Sequence, residues 1–190
     1  MLNIHTLTLG AYGTNCYIVH DSASETCCVI DPGYTPEKVL SEVNALGLTV
    51  EAILLTHGHF DHVGGVKEIA AETGCDVYLC ADELTMPPQI TAGPLYYTKT
   101  YDEGDTLHLA GLTISVIRTP GHTPGSVCLL IDDAMFCGDT LFAGSCGRTD
   151  FPGGSMEDMM TSLARLAALP GDYRVLPGHM HPSTLERERA

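Results

Sequence analysis

The segment AILLTHGHFDHVGG, residues 52–65, constrains this chain more than any other stretch. It places His57, His59, Asp61 and His62 within six residues, directly after a short apolar strand-like run and directly before a helix-like one. In an extended loop, residues two apart point the same way, so His57 and His59 can hold one cation between them. Asp61 and His62 follow where the backbone turns into the helix, and they can address a second position. Imidazole and carboxylate ligands suit zinc, iron or manganese. Gly58, Gly64 and Gly65 allow the tight backbone turns such a cluster needs.

Around this segment, strand-like and helix-like patterns alternate. Strands are expected at Leu2–Leu9, Cys16–His20, Cys27–Ile30, Ala52–Leu55, Val77–Cys80, Thr106–Leu109, Leu112–Ile117, Val127–Ile131, Ala134–Cys137 and Tyr173–Leu176. Helices are expected from Pro36 to the stop at Gly47, over Val66–Glu72 before Gly74, and from Met156 through Leu166 to the Pro170-Gly171 stop. Strand clusters interrupted by helices predict an α/β domain of two sheets with helices outside them. At 190 residues the chain is expected to form one domain, 1–190. Residues 86–104, rich in Pro, Gly, Tyr and Thr, show no periodicity and read as a long loop, either functional or a plain connection.

Of the eight cysteines, none forms a C-x-x-C pair, and most sit in apolar strand-like runs. They read as buried small hydrophobes rather than as zinc or redox ligands. No run of about 18 apolar residues offers a membrane span, and MLNIHTLTLG has no charged end leading into an apolar stretch. A cytoplasmic protein without a membrane partner is the expectation. The balance of 9 Lys+Arg against 24 Asp+Glu, a net charge of −15, disfavours a broad nucleic-acid-binding surface.

Three further fragments place candidate ligands at strand ends. TPGHTPGS presents His122 on a turn, FCGDTLF puts Asp139 after a buried strand where a carboxylate can bridge two cations, and VLPGHMHP carries His179 past the last strand. With these segments, and with TNCYIV, VIDPG and GRTDFPGGS, the chain resembles the metallo-β-lactamase superfamily and, within it, the glyoxalase II-like hydrolases. The resemblance covers nearly the whole sequence.

It implies a four-layer αββα sandwich and a binuclear site. His57, His59 and His122 would hold one divalent ion; Asp61, His62 and His179 would hold the other; Asp139 would bridge them. Zinc is expected first, with iron or manganese as alternatives. The implied reaction is attack of a bridging hydroxide on a thioester such as S-D-lactoylglutathione or another acylglutathione, with Asp61 as a catalytic group that orients the nucleophile or takes its proton. Arg148 and Asp150 would order a loop beside the site. The helical C-terminal region with which full-length glyoxalase II binds glutathione is not expected, since Ala190 follows His179 by eleven residues. Lys99 and Arg148 are the candidate cationic anchors for an anionic substrate, and Met180 could narrow one wall of the site.

Similar sequences also include persulfide dioxygenases, whose single iron would here be held by His57, His122 and Asp139. A lactone hydrolase and a metal-binding module without catalysis are further alternatives. The expected partner is a small-molecule thioester; oligomeric state is not legible.

Overall fold

The computed structural model describes residues 1–190. One sheet holds β1 (Leu2–Leu9), β2 (Thr14–Asp21), β3 (Thr26–Ile30), β4 (Thr49–Leu54), β5 (Asp76–Leu79) and β6 (Lys99–Thr100), side by side in that order. The first three strands pair antiparallel and the rest parallel. The second sheet contains β7 (Thr106–Leu109), β8 (Leu112–Arg118), β9 (Val127–Ile131) and β10 (Ala134–Gly138). A two-stranded ribbon follows, β11 (Leu141–Phe142) with β12 (Ser145–Cys146). Then β13 (Arg174–Pro177) pairs parallel to β10, and β14 (Ser183–Thr184) forms that edge.

Helices supply the crossovers that parallel strands require. Between β3 and β4 runs α1 (Pro36–Ala45); α2 (Phe60–Val63) and α3 (Val66–Thr73) join β4 to β5. Downstream lie α4 (Pro88–Thr91), α5 (Met156–Ala167) and α6 (Leu185–Glu188). Local signals set the boundaries. Pro36 opens α1, where its missing N–H costs nothing. Gly74 closes α3 in the left-handed conformation, its N–H donating to Ala70. Ser155 caps α5 by accepting from the Asp158 N–H.

Alternation along the strands sorts side chains into three layers. Tyr17, Val19, Cys28, Ile30, Ala52 and Leu54 face the second sheet and meet Ile114, Leu129 and Phe136 there. The residues between them, among them Ile18, Val29 and Ile53, pack beneath Val39 and Val43 of α1 and Ile69 of α3. On the far side, Cys128, Met135 and Val175 pack under Leu166 of α5. The result is the expected αββα order. Seven of the eight cysteines are buried in these layers, and only Cys146 is partly exposed.

The structure departs from sequence expectation at the margins. β2 begins at Thr14 and β4 at Thr49, and α5 ends at Ala167, three residues before Pro170. Residues 86–104 are not structureless: they contain α4 and β6 and lead to Tyr101, which is buried and donates its hydroxyl to Leu55 O at 2.6 Å. Elements of two to four residues are too short to show a period.

Truncating a side chain that spans the two sheets should cost far more than truncating one on the outer surface. Leu129→Ala is expected to lower unfolding free energy by about 2–5 kcal/mol. Met160→Ala, 58% exposed on α5, should stay within about 0.5 kcal/mol. Urea denaturation of both variants measures the contrast.

Candidate metal centre

All candidate ligands lie just past the carboxyl ends of strands, along one shared edge of the two sheets. Beyond β4 the chain runs extended through Thr56 and His57 to His59, then turns into α2, which carries Asp61 and His62. His122 follows β8, Asp139 follows β10 and His179 follows β13. Except for the partly exposed His179, these residues are buried, with His62 at 0% exposure.

Three groups of ligating atoms result, one of which, Asp31 with His57 and His62, lies behind the other two, with Asp31 on the outer nitrogen of His62. In the first of those two, atoms of His57, His59 and His122 all lie within 4.8 Å of one another; Asp61, His62 and His179 meet the same limit in the second. Asp139 stands between these two groups. Its Oδ2 is 3.4 Å from His122 Nε2 and 3.4 Å from His179 Nε2, and its Oδ1 is 3.3 Å from His62 Nε2. The structure therefore gathers all seven residues singled out from the sequence.

Outer hydrogen bonds decide which nitrogen each imidazole turns inward. His62 Nδ1 faces Asp31 Oδ2 at 2.9 Å, His122 Nδ1 donates to Arg148 O at 2.7 Å, and His179 Nδ1 donates to Tyr12 O at 3.1 Å. His57 Nδ1 lies 3.1 Å from the Thr56 hydroxyl, which itself donates to Asp31 Oδ2 at 2.6 Å. Each of these four rings directs Nε2 at the centre, whereas His59 directs Nδ1, 2.9 Å from His122 Nε2.

The donor set fits cations. His57 Nε2 is buried with no hydrogen-bond partner, an arrangement that costs stability unless something electropositive satisfies it. Gly178 leaves the required room, since a Cβ there would lie 2.3 Å from Asp139 Oδ1 and 2.7 Å from His62 Cε1.

The two groups differ electrostatically. Burial pushes His57, His59 and His122 below the ordinary histidine range, His59 to about 4, so all three are neutral donors at pH 7. Burial acts the same way on His62 and His179. There the neighbouring carboxylates prevail: Asp139 and Asp31 hold His62 well up, and Asp139 and Asp61 raise His179 to about 10. Burial opposes ionisation of Asp139, but His62 and His179 hold it well below the usual carboxylate range.

Sequence reasoning passed over two supporting residues. Asp31, within the VIDPG segment, accepts from Thr56 N at 2.8 Å as well as from the Thr56 hydroxyl, and it fixes the His62 ring. A carboxylate ending the apolar run CCVI was the available signal. Glu83, fully buried, accepts from Gly58 N at 2.6 Å and Gly125 N at 2.7 Å, tying together the two loops that carry His57, His59 and His122. Nothing in the local sequence marks it.

Above the ligands opens a cleft of about 530 Å³ that includes Tyr12, Phe142, Arg148 and Phe151 in its walls. Lys99 is not among them; it pairs with Asp76 at 2.7 Å as an exposed lysine, so this one of the two candidate anchors lies away from the cleft. Met180 is 55% exposed and outside the cleft, with a left-handed φ of 70°, so it narrows no wall. Cys146 lines a separate groove beside α5 and α6. No helix is long and apolar enough to cross a membrane.

Residues 9–179 match the family model of the metallo-beta-lactamase superfamily. A hydroxyacylglutathione hydrolase of Rhodospirillum rubrum is 41% identical over 165 residues, 86% of this chain and 60% of the relative. The hydroxyacylglutathione hydrolase GloC of Haemophilus influenzae is 30% identical over 203 residues, 99% of this chain and 95% of the relative. Among solved structures, TTHA1623 in a di-iron-bound form superposes with a TM-score of 0.85 at 36% identity, covering 97% of this chain and 96% of that one. The chain belongs to the metallo-β-lactamase superfamily, among its glyoxalase II-like hydrolases.

Proposed function

We propose that the protein is a binuclear thioester hydrolase, with acylglutathiones such as S-D-lactoylglutathione as its first candidate substrates. The observation that carries this reading is the pair of complete ligand triads flanking Asp139 at the floor of an open cleft. His57, His59 and His122 would hold one ion, Asp61, His62 and His179 the other, and Asp139 both. Bound there, two divalent ions supply an acidified water as nucleophile and positive charge opposite the carbonyl oxygen.

The chain's own groups do the rest. Asp61 Oδ2 faces His179 Nε2 at 3.0 Å and the Thr14 hydroxyl at 3.3 Å, so it can orient the attacking water and accept its proton. Outside the ligand cluster, no lysine, cysteine or histidine lines the cleft to protonate an amine leaving group. A thiolate needs no such donor, because an ordinary thiol ionises at about pH 8.5 and its anion can leave as such, whereas an amine must take up a proton before it can leave. As the C–S bond breaks, the thiolate departs with its electron pair. The names of the Rhodospirillum and Haemophilus relatives support the thioester class. Zinc, iron and manganese all suit the donors.

Elemental analysis of freshly purified protein should find about two divalent ions per chain. Chelation should abolish hydrolysis of S-D-lactoylglutathione and re-addition restore it. His62→Ala should lose one ion and most turnover. A single-iron dioxygenase built on His57, His122 and Asp139 would keep its ion, and oxygen uptake with a persulfide would identify it.

Asp31→Ala should weaken the second ion by about 10–100-fold, because the His62 ring loses its outer acceptor. The first ion should weaken less, because His57 is held through Thr56 rather than by Asp31 directly, as read by competition with a chromogenic chelator.

Proton release should separate the triads. Calorimetry at pH 7 in buffers of different ionisation heat should find protons expelled by the ion entering between Asp61, His62 and His179. The ion at His57, His59 and His122 should expel almost none. Raised proton affinity means that lowering the pH strips the second ion first.

A further inference from the structure

The cleft walls carry aromatic surface in excess and almost no available positive charge. Beside the Asp61, His62 and His179 group, Tyr12 and Phe60 meet edge to face at 5.3 Å, and Phe142 stands edge-on to His179 at 6.2 Å. Beside the other group, Phe151 stands edge-on to His59 at 5.8 Å. Tyr12 is 63% exposed, so much of its ring faces solvent rather than the core. An aromatic ring held on a turn at a cleft mouth offers large apolar contact at small entropic cost.

Of the chain's 9 lysines and arginines, Arg148 alone lines this cleft. Its guanidinium is already engaged. Nε and Nη2 donate to the two oxygens of Asp150, each at 2.7 Å, and the group lies over the Phe151 ring at 3.9 Å. The pair is exposed, but a substrate carboxylate would have to displace a two-point fork stacked on a ring to reach this cation. The chain's net charge of −15 further disfavours approach of an anion at long range. A carboxylate entering the cleft beyond the reach of the ions would lose hydration and gain no cation.

We infer that the groups flanking the scissile thioester are uncharged and apolar, aryl or alkyl, seated against Tyr12, Phe60, Phe142 and Phe151. On this basis the glutathione carboxylates are not gripped, and neutral thioesters serve at least as well. The inference rests on the thioesterase reading and specifies how that site chooses among thioesters.

Two measurements decide it. The metal-loaded enzyme is assayed with S-D-lactoylglutathione, its diethyl ester, and S-benzoyl-N-acetylcysteamine. Masking the carboxylates should leave kcat/KM within about threefold or raise it, and the neutral benzoyl thioester should be turned over at least as well. A fall of about tenfold or more on masking overturns the inference while leaving thioester hydrolysis intact. No turnover of any thioester overturns the thioesterase reading and the inference together.

Independently of turnover, calorimetry compares S-benzylglutathione with its diethyl ester, neither of them a thioester, on the metal-loaded protein. The diester should bind at least as tightly, and Tyr12→Ser should weaken both by about tenfold. His179 bonds only the backbone carbonyl of residue 12, so this substitution leaves that contact in place. Preference for the free carboxylates, or unchanged binding by Tyr12→Ser, overturns the proposal.

Discussion

Much of this structure depends on gathering several carboxylates at the edge where the two sheets meet. Asp31, Asp61 and Asp139 are all buried and crowd around five imidazoles at one edge of the sandwich. Charge buried on that scale is costly unless paired. The protein pairs it partly from within, through His62 and His179, which the carboxylates keep protonated. Those same protons must leave before the nitrogens can serve as ligands. Proton affinity and ion affinity at these two rings therefore oppose each other, and ion binding is linked to pH.

The scaffold explains how so many polar groups reach one point. Every ligand-bearing loop leaves the carboxyl end of a strand, the end at which α/β sheets generally present ligands. Strand alternation fills the three apolar layers and leaves the loops free to carry polar residues. Coupling between loops is then local: Asp31 connects the loop after β3 to Thr56 and His62, and Glu83 connects the Gly58 and Gly125 backbones. Burial raises the Glu83 carboxyl while the two N–H groups offset part of that rise.

The sequence made the strands at Leu2–Leu9, Thr106–Leu109 and Val127–Ile131 legible to the residue, because each alternates or ends at a clear turn. The ligand residues were legible for a different reason: histidine and aspartate at fixed short spacing are scarce outside such sites. What escaped were contacts made across large sequence separation. Glu83 reaches Gly125, 42 residues away, and Asp31 reaches His62, 31 residues away. Neither distance leaves a periodic trace. Lys99 illustrates the converse, for a lone cation in a tyrosine-rich stretch suggested a binding role, whereas it pairs with Asp76 away from the cleft.

The cysteines acquire a meaning from the layers that enclose them. Burial pushes Cys27 and Cys128 up to about 12, so neither forms an appreciable thiolate near neutrality. Exchange with small disulfides proceeds through thiolates. The sandwich therefore keeps its seven buried sulfurs chemically silent, and Cys146 alone is left where a thiol or disulfide from solution could reach it.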